Sequence, residues 1–119
     1  MRIIFAVILI GHGFAHLAGF LLPWRFAGLK DMPYKTTIFA KSVNVGELGI
    51  RIIGLLWLIA ALAFGVSAIA DLTRASWWLP VTGIATGFSF ILCVVEWPDS
   101  RIGVLVNIGI TAALLSRVY

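Results

Sequence analysis

At 119 residues the chain has room for one domain, and its composition excludes a water-soluble one: 61% of the residues are hydrophobic and only 12% charged, against roughly 25% charged in a soluble domain. The mean hydropathy of +1.07 points the same way. A net charge of +4, spread thinly along so apolar a chain, is too diffuse for a nucleic-acid surface and suits anionic lipid headgroups instead.

The first predicted element is a membrane-spanning helix over residues 3–22. Crossing the hydrocarbon core takes about 20 mostly apolar residues, and this run supplies them. It stands where an export signal would, but Pro23, Trp24 and Arg25 follow directly, with no convincing cleavage site. It holds His12 and His16, four residues apart and therefore on one face. Gly11, Ala15 and Gly19 run beside them, small residues of the kind that let another helix approach closely.

Residues 23–42 form a long loop. Arg25, Lys30, Lys35 and Lys41 are set against Asp31, with Trp24, Phe26, Tyr34 and Phe39 among them. Basic and aromatic residues mixed in this way belong at the membrane interface. The loop is expected to lie on the surface, with a short helix at residues 36–43, where it would also cover a pocket.

The second predicted helix, residues 46–70, carries Glu47 and Arg51 four apart, with the acid first, the better order for an ion pair. A short connection, residues 71–76, leads to the interfacial pair Trp77 and Trp78. The third helix, residues 77–96, carries Thr82, Thr86, Ser89, Cys93 and Glu96, one continuous polar stripe at helical spacing. Gly83 and Gly87 stand beside it in a GxxxG spacing. Cys93 is the single cysteine, so no intrachain disulfide is available. Trp97-Pro98-Asp99-Ser100 is a turn with proline as breaker. The fourth helix, residues 101–118, repeats the small and polar pattern at Gly103, Asn107 and Thr111. Arg25, Lys30, Lys35, Lys41, Arg51 and Arg101 gather at one end, against Arg2, Arg74 and Arg117 at the other, which favours both termini outside. The expected fold is an all-α integral membrane four-helix bundle in one domain.

Depth sharpens the site. With Leu22 and Glu96 at one boundary, His16 and Asn107 lie roughly 9 Å inside it at about 1.5 Å per residue. Ser89 is at a similar level, and His12 and Thr86 are deeper. Glu47, Arg51, Glu96, Asp99 and Arg101 gather at the boundary. Ionisable residues inside a membrane are costly and face the bundle interior, so a pocket open beneath the long loop is expected. Its occupant would be a lipophilic small molecule. Histidine gives or takes a proton near neutral pH, so His12, His16, Glu47 and Glu96 are the candidates for acid–base chemistry. Arg51 and Asn107 would hold a carbonyl or a developing oxyanion. Ser89 and Asp99 would contact substrate, and Trp57 and Trp97 would form walls. Isomerisation, cyclisation or epoxide opening needs no metal and no other cofactor.

Other readings stand beside this one. His12, His16 and Glu47 would make a three-ligand zinc or iron site. A buried carboxylate would suit a small transporter. The polar groups would serve packing alone in an accessory or assembly subunit. In that bland case the hydroxyls bond their own backbone, the ion pairs sit among headgroups and Asn107 joins helices. The small-residue ridges would also suit a homodimer.

The stretch from His12 to Phe20, HGFAHLAGF, the run Gly54-Leu55-Leu56-Trp57-Leu58-Ile59-Ala60-Ala61, and Trp97-Pro98-Asp99-Ser100-Arg101-Ile102-Gly103 with Asn107 resemble small bacterial membrane proteins of the DoxX-like kind. The resemblance spans most of the chain outside the first loop, which is longer here than in that pattern. It implies a four-helix membrane bundle and draws attention to His12, His16, Asp99 and Asn107. It implies no particular reaction.

Overall fold

The structure is a computed structural model and describes residues 2–25, 35–97 and 100–118. Four helices follow in chain order, α1 (Arg2–Leu21), α2 (Gly46–Leu72), α3 (Trp78–Val95) and α4 (Arg101–Val118), as an all-α bundle. Consecutive helices run antiparallel. Three of them, α1, α2 and α3, are long and apolar enough to cross a membrane, and α4 is apolar over a shorter length, Arg101–Ser116. Helices are what such a sequence must form in lipid, because every backbone N–H and C=O has to be satisfied within its own segment. The outward faces carry Ile3, Val7, Phe14, Ile84 and Ile102, all exposed, a surface that suits hydrocarbon better than water.

The closest packing joins α1 to α2. Gly13 is buried against the Ala61 carbonyl and the Phe64 side chain, and a Cβ there would stand 3.2 Å from each. Gly19 leaves the room that the Trp57 indole occupies; any side chain at 19 would run into that ring. Toward the termini the helices meet over Ala6, Leu9, Phe64, Ala68, Ala85, Ile110 and Leu114. Toward the loop a smaller cluster forms from Trp57, Ala60, Leu92 and Cys93.

The helix expected at residues 36–43 is not there. That stretch is a short antiparallel hairpin instead, β1 (Thr37–Ile38) paired with β2 (Val43–Asn44). Two causes are visible. The β-branched residues Thr37, Ile38 and Val43 favour extended backbone. The turn between the strands also donates two backbone N–H groups, from Phe39 and Ala40, to the Val95 and Trp97 carbonyls at 2.9 and 3.0 Å. Those carbonyls belong to the end of α3, where helical partners run out. The hairpin thus caps α3 and ties the long loop to the bundle. Gly46, at φ 74°, then turns the chain into α2, with its N–H donated to the Asn44 side chain at 2.9 Å.

Candidate functional site

The two histidines of α1 share a face, as their spacing requires, and that face is buried: His12 is 6% exposed and His16 2%. Their rings meet edge to face at 4.4 Å between centroids. Phe64 lies 4.9 Å from the first and 5.1 Å from the second, and Trp57 lies 4.9 Å from His16. The two polar rings therefore pack against aromatic rings from α2.

Hydrogen bonds link this pair to α3 and α4. His12 Nε2 lies 2.9 Å from Asn107 Oδ1, and His16 Nε2 lies 2.6 Å from Ser89 Oγ. The Asn107 amide donates to Ser89 Oγ at 2.9 Å. It also reaches Cys93 Sγ at 3.7 Å. His16 Nδ1 lies 2.7 Å from the His12 carbonyl. That last bond fixes the rest. A carbonyl can only accept, so His16 carries a proton on Nδ1. With a neutral ring, its Nε2 then accepts the Ser89 hydroxyl proton, Ser89 accepts from Asn107, and Asn107 Oδ1 accepts from His12 Nε2. The four side chains close a circuit in which each donor meets an acceptor. Reversing the Asn107 amide would set its oxygen against Ser89 and require a second proton on His16. The side-chain hydrogen bond of His12 runs from Nε2, so Nδ1 is left as a lone pair with no partner among the described residues.

This circuit borders a cavity of about 570 Å³, within the usual size of small-molecule sites. Much of its wall comes from α1, including Ile8, Gly11, His12, Ala15, His16, Gly19 and Leu22. Trp57 and Ile50 of α2, Cys93 of α3 and Ile102, Gly103 and Val106 of α4 complete it. Pro23, Lys35, Glu96 and Ser100 lie at the loop end. A side chain at Gly103 would run into the Cys93 sulfur, so the glycine keeps α4 close to α3 at this level. The Trp57 indole N–H is buried without a hydrogen-bond partner among the described residues.

The predicted site residues therefore separate into groups. His12, His16, Trp57 and Glu96 line the cavity. Ser89 and Asn107, each 0% exposed, stand behind the histidines and hold them. Glu47 and Arg51 are elsewhere: they pair with each other at 3.6 Å, with 59% and 44% of their side chains exposed, and neither lines the cavity. The Arg51 guanidinium lies 5.3 Å over the Trp24 ring, and Trp24 donates its indole N–H to the Arg51 carbonyl. Trp97 is exposed and contributes its backbone carbonyl to the hairpin contact. Asp99 lies outside the described residues. Among the described residues no three His, Cys, Asp or Glu side chains converge as a ligand set, so His12, His16 and Glu47 are not assembled around one point.

The hydroxyl stripe of α3 divides in the same way. Thr82 and Thr86 bond the carbonyls four residues earlier in their own helix, as does Thr111 in α4. Only Ser89 reaches across to other helices. Asp71 and Phe64 are the residues that sequence reasoning passed over. Asp71 sits in the last turn of α2, 3% exposed, with Arg2 on its carbonyl at 2.5 Å and its carboxylate at 3.5 Å. Its other carboxylate oxygen is buried without a partner among the described residues.

No protein family, curated protein or solved structure matches this chain.

Proposed function

We propose that the chain is a membrane-embedded enzyme or binding protein that holds a lipophilic small molecule and works on it by histidine acid–base chemistry. The observation that carries this reading is the unpartnered His12 Nδ1 beside a largely apolar cavity, with its ring held by the closed circuit of Asn107, Ser89 and His16. A base must be fixed in one tautomer and one orientation to act, and a hydrogen bond to the opposite ring nitrogen does both. A proton taken from substrate at Nδ1 would leave the imidazolium donating from Nε2 to the Asn107 oxygen, the partner it already has. Returning that proton elsewhere on the substrate is an isomerisation. Glu96, on the wall at the loop end, is the second proton-handling group of this reading.

The reading includes a DoxX-like lineage, on the motifs quoted above, and a bacterial inner membrane with both termini outside, on the distribution of basic residues. It also includes a homodimer. Gly83 and Gly87 lie exposed on the outer face of α3, with open space around each, and would be the ridge for a second copy.

Native mass spectrometry of gently purified protein, followed by organic extraction, tests the reading and gives the stoichiometry in the same spectrum. A lipophilic molecule should travel with the parent protein and be lost from His12→Ala and Asn107→Leu. Parent protein that carries no such molecule, or variants that retain it unchanged, would defeat the proposal.

A further inference from the structure

The proposed site is not enclosed along one edge. Ile8, Gly11 and Ala15 of α1 and Ile102 of α4 line the cavity and are also exposed, Ile8 by 45% and Ile102 by 72%. This edge faces sideways, between α1 and α4, and offers only hydrocarbon and bare backbone. The end under the loop is different, because Lys35, Glu96 and Ser100 stand there. The lining also runs far along one helix: from Ile8 to Leu22 is roughly 21 Å at about 1.5 Å per residue. A space of this length with an open apolar flank suits an extended chain.

We infer that the occupant is an uncharged, chain-like lipid bearing a hydroxyl group, and that it enters sideways from the membrane between α1 and α4. The inference rests on the reading of the cavity as a lipophile site and narrows it. A neutral circuit leaves His12 Nδ1 as an acceptor, so its complement is a donor. A hydroxyl donates a hydrogen there and brings no charge into the apolar cavity. A carboxylate would set a negative charge against the His12 lone pair. An ester or ether would leave that lone pair unmatched. A hydrated ion would find no polar partner along Ile8 and Ile102 at this edge.

The test uses the full chain in phosphatidylcholine nanodiscs and a long-chain alcohol carrying a photoactivatable diazirine in mid-chain. The methyl ether and the carboxylic acid of the same chain length are the comparison probes. Peptide mass spectrometry should place the alcohol's label on α1 between residues 8 and 19 and on α4 between residues 102 and 106, displaced by unlabelled alcohol. The ether and the acid should label these positions roughly tenfold less, the scale of loss when a buried acceptor goes unmatched. Gly11→Phe should suppress labelling severalfold. The space around Gly11 is open, so the new ring fills the edge without displacing core. Ile102→Trp should do the same from the opposite bank. Leu62→Phe, on an exposed face of α2 outside the cavity lining, should label as the parent does.

Equal labelling by the ether or the acid would overturn the hydroxyl assignment. Parent-level labelling in both Gly11→Phe and Ile102→Trp would overturn the sideways route. In either case the cavity would still hold a lipophile, and the broader reading would survive. If no chain-like probe reached these positions at all, both would fall.

Discussion

At the end where the chain begins, the four helices meet over Ala6, Leu9, Phe64, Ala68, Ala85, Ile110 and Leu114, with the Arg2–Asp71 pair behind them. At the loop end α1, α3 and α4 meet through His12, His16, Ser89 and Asn107 and leave a cavity beside them. The first end is filled and mostly apolar. The second is polar and partly empty, although nothing in helix geometry forbids filling it with leucine. Interhelical hydrogen bonds in membranes average well under about 2 kcal/mol each, so the circuit is a poor way to gain stability alone. What it does supply is a unique set of positions. An apolar contact tolerates rotation and sliding, whereas four side chains that must each match donor to acceptor hold the three helices in one register. Positional accuracy beside an open volume is what a binding or catalytic site requires.

The largest test of this comparison is Phe64→Ala, because Phe64 belongs to both ends. It is fully buried in the apolar cluster and touches both histidine rings. Truncation should cost about 3–5 kcal/mol, the usual range for a buried phenylalanine. Thermal unfolding in mild detergent should show a large drop, and the bound lipophile should be lost as well. A stable variant without the lipophile would mean that the two ends are less joined than the ring contacts imply.

Arg2→Ala should come next and should separate the ends. It strips Asp71 of its cation and leaves a carboxylate that is 3% exposed. Breaking a buried pair costs about 3–5 kcal/mol, and less here, about 2 kcal/mol, because a third of the Arg2 side chain remains exposed. Adding Asp71→Asn should restore part of that loss, since the orphaned charge goes with it. A double-mutant cycle by thermal unfolding measures this directly, with lipophile retention as the second readout. Retention should stay at the parent level throughout; its loss would show that the filled end controls the cavity end.

The sequence displayed the helices far better than the site. Long apolar runs place α1 to α4 within two residues of where they lie, because in lipid the backbone has few other choices. The i to i+4 spacing correctly put His12 and His16 on one buried face. Spacing could not say which hydroxyl of the α3 stripe leaves its own helix. Thr82, Thr86 and Ser89 look alike in sequence, and only packing against α1 and α4 singles out Ser89. Asp71 looks like part of a connection in the sequence, because its partner, Arg2, is 69 positions away. The hairpin was missed because its cause is also distant: the spent carbonyls at the end of α3.

The smallest expected effect concerns Glu47, which sequence reasoning placed among the catalytic groups. Its carboxylate is mostly exposed and pairs with Arg51 at 3.6 Å along one helix face. Such pairs contribute about 0.3–0.5 kcal/mol, so Glu47→Gln should shift unfolding slightly and leave the lipophile in place. Arg51→Ala should cost somewhat more, about 0.5–1 kcal/mol, because the guanidinium also lies over the Trp24 ring. That ring is seated against Gly54, where a side chain would collide with it, so Arg51 holds the start of the loop to α2. Trp24 lies far from the ring nitrogens in sequence but only two residues past Leu22 of the cavity wall. Loss of lipophile from Arg51→Ala with retention in Glu47→Gln would trace the effect to the loop. Loss from Glu47→Gln, with the fold intact, would return Glu47 to the site and show that the polar end extends to the bundle surface.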